Sequence, residues 1–133
     1  MGQHDGMHVD LDLRVVDAPP PSPGSTANVA ARLVVPAAHP LLAGHFPGAP
    51  LVAGVQLLDA ACRAVAQTLG RPLAIAAIDD VRWFQPVAPG VEVALAARVD
   101  EADGLLRCEG EWTAVAGRVA SFRMQLRAVG PRP

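Results

Sequence analysis

The chain has 133 residues, of which 51% are hydrophobic and 18% charged, a balance that fits one globular domain and excludes a disordered segment. Its 11 basic side chains are all arginines and face 13 acidic ones; the formal charge of −2 carries no nucleic-acid signature. Lysine and tyrosine are absent, which excludes Schiff-base chemistry, a phosphate-binding P-loop and a catalytic tyrosine. Any chemistry must come from His, Asp, Glu, Ser, Thr, Cys or the backbone.

Val9, Leu11, Leu13 and Val15 alternate with Asp10, Asp12 and Arg14, the period of a strand with one buried face. The run Pro19-Pro20-Pro21-Ser22-Pro23-Gly24 cannot continue a strand. Asn28 to Val35 resumes the alternation, so a hairpin with the first strand is expected. Residues 36–53 hold Pro36, Pro40, Pro47 and Pro50 with Gly44 and Gly48. Rigid turns set the course of such a segment, and loops of this kind carry function. Residues 54–69 contain no proline, are rich in Ala and Leu, and end at Gly70 and Pro72, a helix with its stop signals. Its apolar residues lie nearly all round, which predicts a helix wrapped by the rest of the domain.

Strands are expected over Leu73–Phe84, Val91–Val99, Leu105–Val115 and Arg118–Val129, with turns at Gln85–Gly90, Asp103-Gly104 and Ala116-Gly117. The order strand, strand, helix, four strands predicts a single α+β domain over 1–133, one sheet around one helix. Residues 1–7 have no reading beyond a flexible end. No apolar run approaches the ~20 residues of a membrane span and the first ten residues do not form a signal peptide, so a cytoplasmic location is expected. Cys62 and Cys108 are isolated in apolar segments; they read as buried thiols, without metal spacing, and no metal or cofactor is expected. Arg107, Arg118, Arg123, Arg127 and Arg132 face only Glu109 and Glu111. This basic stretch reads as a solvated sheet face, with an acidic partner as the alternative.

One constellation carries chemistry. His45 sits in the Gly/Pro-rich loop, and Asp59 follows 14 residues later inside the apolar helix. Val55, Ala60 and Cys62 surround Asp59, so a buried carboxylate there needs a partner or a raised pKa. An ion pair with Arg63 at i+4 is the structural alternative, and the sequence does not decide between them. Gly54 opens the helix, where unpaired backbone N–H groups favour an oxyanion.

The run His45-Phe46-Pro47-Gly48-x-Pro50-x-x-x-Gly54-Val55-x-x-x-Asp59-Ala60 resembles the active-site segment of bacterial 3-hydroxyacyl-[acyl-carrier-protein] dehydratases, and the match has no gap. Ile78 to Gly90 resembles the family's strand and PVxPGD turn more loosely. Three departures stand out: Ala53 replaces the proline before Gly54, Arg63 replaces a common glutamine, and the acid is Asp. The flanking His39-Pro40 and that Asp are similar to a stand-alone branch from aryl-polyene clusters. The resemblance implies a hot-dog fold, a curled antiparallel sheet wrapped around one long central helix. It implies dehydration of a (3R)-3-hydroxyacyl thioester to the trans-2-enoyl thioester in fatty-acid or polyene-type biosynthesis. His45 and Asp59 would be catalytic, and Phe46, Gly54, Val55, Trp83 and Phe84 would bind substrate. The partners implied are an acyl carrier protein bearing 3-hydroxyacyl-phosphopantetheine and a second subunit in a homodimer, which in the family also assembles as a trimer of dimers. His45 of one subunit would face Asp59 of the other. A hot-dog thioesterase and a non-catalytic acyl-binding subunit are the alternatives.

Overall fold

The computed structural model describes residues 12–34, 54–88 and 90–130. The predicted hairpin forms between β1 (Asp12–Val16) and β2 (Ala27–Val34), with Asp12 opposite Val34 and Val16 opposite Ala30. The proline run between them is held by Asn28, whose side-chain amide donates to the carbonyls of Pro19 and Pro20 at 3.1 Å each. Helix α1 spans Gly54–Leu69, as the spacing predicts. Its end is set by Gly70 at φ 71°, in the left-handed region where glycine is free of strain. The amides of Gly70 and Arg71 both donate to Ala66 O, at 2.9 and 3.1 Å, and Pro72 follows.

Four strands come after the helix: β3 (Leu73–Trp83), β4 (Glu92–Ala102), β5 (Leu105–Ala114) and β6 (Gly117–Ala128). The β4–β5 loop is the two-residue Asp103-Gly104 turn, with φ of 54° and 80°, the positive pair that matches the twist of a hairpin. All pairings are antiparallel, and the sheet order is β1-β2-β4-β5-β6-β3. The chain leaves β2 near one edge, traverses the sheet through α1, and returns as β3 on the far edge. The β3–β6 ladder has irregularities at Ile75/Ala77 and Ile78/Asp80.

The core lies between α1 and the inner face of the sheet. Leu57, Leu58, Ala61, Cys62, Ala64 and Val65 of the helix meet Val29, Leu33, Val93, Leu95, Val99, Trp112, Phe122, Met124 and Leu126. Burial of this set supplies the main driving force for the fold. Gly110 faces inward on β5, opposite Ala97; a Cβ there would lie 2.7 Å from both Ala96 O and Ala97 Cβ. Only glycine allows the two strands to approach so closely.

The helix is less enclosed than its composition suggests. Val55, Asp59 and Arg63 share one stripe at four-residue spacing, and the chain's own sheet does not cover it; Val55 is 67% exposed.

Candidate active site

The first turn of α1 and the end of β3 come together at one corner of the molecule. A groove of about 610 Å³ is lined there by Gly54, Val55 and Leu57 of the helix, by the Trp83–Val87 segment, and by Val119 of β6. Four of the sequence-predicted binding residues, Gly54, Val55, Trp83 and Phe84, thus share one surface. The fifth, Phe46, and the catalytic candidate His45 lie outside the described residues.

Paired aromatics in a strand are usually core, but Trp83 and Phe84 are 51% and 44% exposed. The reason is topological. They end an edge strand just before the Pro86 turn, where no further strand can cover them. Three contacts tie this corner to the start of β6. The Phe84 amide donates to Val119 O at 2.8 Å. Gln85 Nε2 donates to Arg118 O at 2.9 Å. The Arg118 guanidinium lies 4.4 Å from the centre of the Phe84 ring, a cation–π geometry. Trp83 in turn rests on the helix backbone: a Cβ on Gly54 would lie 2.6 Å from both Cη2 and Cζ2 of the indole. A side chain at residue 54 would therefore displace the indole, independently of any role for the Gly54 N–H.

Asp59 projects from the open stripe of α1. Its side chain is 63% exposed, and Oδ2 lies 3.4 Å from Arg63 Nε. The carboxylate is therefore not buried within this chain, contrary to what its apolar neighbours suggest, and the i+4 ion pair is present. An exposed pair of this kind contributes little to stability.

The two thiols are silent chemically. Burial, and then the negative charge of Asp59, pushes Cys62 up to about 11. Burial, with Cys62 and Glu109 adding, pushes Cys108 up to about 12. Neither is a thiolate nucleophile at neutral pH.

Sequence reasoning overlooked Gln85, Arg118 and Val119 at this corner. Gln85 follows directly on Phe84, whereas only the cross-strand pairing brings Arg118 and Val119 to this corner, so no local signal marked those two. Of the basic C-terminal stretch, Arg118 goes to Phe84, whereas Arg107 and Arg123 stand together on the outer face, Arg123 in register with Asp80 and Glu109. That outer face has its own depression of about 640 Å³ beside Asn28, Arg98, Glu109 and Arg123. Arg98 is already engaged there by Glu109 at 2.9 Å and Asp100 at 3.5 Å. Among the described residues there is no cluster of three or more His, Cys, Asp or Glu able to hold a metal. No described helix is long and apolar enough to cross a membrane.

Among the described residues one helix packs against a six-stranded antiparallel sheet, with its first turn opening on a groove; that arrangement defines a hot-dog protein, and solved structures bear out the class. A protein of uncharacterised function from Erwinia carotovora subsp. atroseptica superposes with a TM-score of 0.65 at 21% identity, over 87% of this chain and 91% of that one. The dehydratase heterocomplex ApeI:P from Xenorhabdus doucetiae gives 0.61 at 23% identity, over 80% and 92%. A mutant of the fluoroacetyl-CoA-specific thioesterase FlK gives 0.65 at 15% identity, over 79% and 87%. At these identities the likeness is one of fold.

Residues 22–118 match the ApeI-like family, described as ApeI dehydratase, and the chain belongs to that family. Among curated relatives it is similar to the 3-hydroxyacyl-[acyl-carrier-protein] dehydratase FabZ of Chlamydia trachomatis serovar L2, 38% identical over 82 residues, covering 55% of this chain and 54% of that protein. FabZ of Roseiflexus castenholzii is 32% identical over 93 residues, covering 55% and 65%. The chain spans about half to two-thirds of the length of these relatives.

Proposed function

We propose that this hot-dog dehydratase removes water from a (3R)-3-hydroxyacyl thioester carried on an acyl carrier protein, giving the trans-2-enoyl thioester. The observation that carries this reading is the groove that opens on the helix start. It sets apolar walls, Val55, Trp83 and Phe84, beside the backbone donor Gly54. An apolar tail with a polarisable carbonyl at one end has that shape and chemistry.

The hard step is removal of a weakly acidic C2 proton. A thioester helps because charge can move onto its carbonyl oxygen, where a positioned donor such as the Gly54 N–H contributes about 3–4 kcal/mol. In this reading His45, near neutral in its ordinary pKa, takes the C2 proton. The C2=C3 bond forms, the C3–O bond breaks, and the departing hydroxyl takes a proton and leaves as water; Asp59 binds it and gives that proton itself, or the proton taken by His45 is passed to it. The exposed stripe carrying Asp59 and the open edge strand β3 support a homodimer in which the second copy covers Asp59 and supplies the opposing His45. The reading places the chain in the cytoplasm with an acyl carrier protein as partner. Fatty-acid synthesis and a polyene-type pathway both use this step.

The test is mass-spectrometric detection of enoyl thioester from a 3-hydroxyacyl-carrier substrate. Wild-type turnover is expected, with His45→Ala and Asp59→Asn each reducing it by roughly 10²–10⁴-fold, the usual weight of a general acid or base. Full activity in both variants would overturn the site assignment. Release of free thiol without enoyl product would identify a thioesterase instead, and no turnover of either kind would favour a non-catalytic acyl-binding subunit.

A further inference from the structure

The contact between Trp83 and Gly54 has a consequence for which acyl chains can enter. On one side the indole is stopped by the helix backbone, since even a Cβ at position 54 would lie 2.6 Å from two of its ring carbons. Its main chain is held in the ladder opposite Ala120 and by the Phe84 amide, which donates to Val119 O, while the Gln85 side chain reaches Arg118 O and Arg118 covers the Phe84 ring. The indole cannot retreat toward the helix, and its backbone is anchored to β6. Its remaining surface, half exposed, is a wall of the 610 Å³ groove. A wall braced from behind discriminates by width.

We propose that Trp83 is a specificity-determining residue. Braced against Gly54, it fixes the width of the groove beside the helix start and selects unbranched acyl chains over chains branched close to the thioester. The inference rests on the reading of the groove as an acyl site: with the thioester oxygen held at the Gly54 N–H, the first chain carbons beyond C3 lie alongside the indole. It also gives Gly54 a second function, to leave room for the indole.

The proposal makes opposite predictions for the two partners in the contact. Shortening residue 83 widens the groove, whereas adding a Cβ at residue 54 pushes the indole into it. The probes are saturated acyl-pantetheine amides, which lack the 3-hydroxyl and the thioester and cannot turn over. One has a straight chain and the other a methyl branch at C4. Titration calorimetry on the full wild-type chain is expected to favour the straight amide by about tenfold or more, the discrimination one methyl commonly brings in an apolar pocket. Trp83→Leu is expected to bring that preference below about threefold by admitting the branch, and Trp83→Phe to give an intermediate value. Gly54→Ala is expected to weaken both amides about tenfold, and Gly54→Ala/Trp83→Leu to recover straight-chain binding.

Thermal denaturation of each variant accompanies the titrations, and Trp83→Phe carries the test if Trp83→Leu does not fold. An unchanged preference in both residue-83 variants, or a double variant as weak as Gly54→Ala, would overturn the proposal. So would failure of wild type to bind either amide. If wild type dehydrates its substrate but the preferences do not move, only this inference fails. If the preferences move as expected but no enoyl product forms, only the dehydratase reading fails.

Discussion

Both tryptophans of the chain touch the first turn of α1, and they do so in opposite ways. Trp112 is fully buried on β5, and its indole Nε1 donates to Leu57 O at 3.0 Å. Trp83 is half exposed at the end of β3 and leans on Gly54 with its apolar edge. The buried indole has its polar atom satisfied and every face packed, as a stable core requires. The other leaves a face open that the chain itself does not cover. One side of the helix start is thus fixed by the core, and the other borders the open groove. The same residue type is packed on every face in one place and left as a half-open groove wall in the other.

The largest effect separates them directly. Trp112→Ala is expected to cost about 3–5 kcal/mol, the usual range for a buried large aromatic. It should appear as a large drop in the urea midpoint. Trp83→Ala is expected to cost about 1 kcal/mol or less, because half of its surface is already in water. Equal losses for the two variants would break the comparison and make Trp83 a core residue.

Much of this molecule is legible in its sequence. The helix is bounded to the residue because Gly54, Gly70 and Pro72 punctuate it, and the strands are placed within a few residues because their alternation is regular. Sheet order is not legible: period-2 patterns show which face is buried but not which strand lies beside which. β3 therefore reaches the far edge without any local sign. Asp59 misleads for a related reason. Its neighbours in sequence are apolar, but its neighbours on the helix face are Val55 and Arg63, and that face is open. Trp112 carries no local mark because its partner Leu57 lies 55 residues away. The groove is half legible. Gly54, Val55, Trp83 and Phe84 stand out from motif and composition, whereas Arg118 and Val119 arrive only through the β3–β6 pairing. His45 and Phe46 rest on the motif alone.

A second test probes the core side of the comparison through its thiols. The unfolded chain would ionise Cys62 and Cys108 near 9.0, whereas the native values lie at about 11 and about 12. Below pH 9 both states hold the protons and stability is complete. As pH rises past 9 the unfolded chain loses protons that the native state keeps, so stability falls until the native thiols also ionise. The fall should be on the order of a few kcal/mol, since each tenfold difference in proton affinity between the two states is worth about 1.4 kcal/mol. The composition makes this window unusually clean, since without lysine or tyrosine few other groups titrate there. Denaturant titrations from pH 8.5 to 11 on wild type and on Cys62→Ala/Cys108→Ala would read it. The double variant starts from lower stability because of the lost core volume, but its slope with pH should be flat. A slope of wild-type size in the double variant would assign the pH dependence to other groups and leave the two thiols without effect on stability.

The smallest effect lies at the groove. Arg118 holds Phe84 through its guanidinium and Gln85 through its backbone carbonyl, so a side-chain substitution removes only the first of these. Arg118→Gln should therefore cost about 0.5–1 kcal/mol, the worth of a solvent-accessible cation–π pair. A double-mutant cycle with Phe84→Leu isolates that contribution, because the two single losses should not add. Coupling near zero would mean that the stacked geometry contributes nothing in water and that the corner is held by its two backbone acceptors alone. Coupling of the expected size would establish that the groove wall is braced from the solvent side as well as from the helix, which is what a rigid selective wall requires and what Trp112, packed on every face, has no need of.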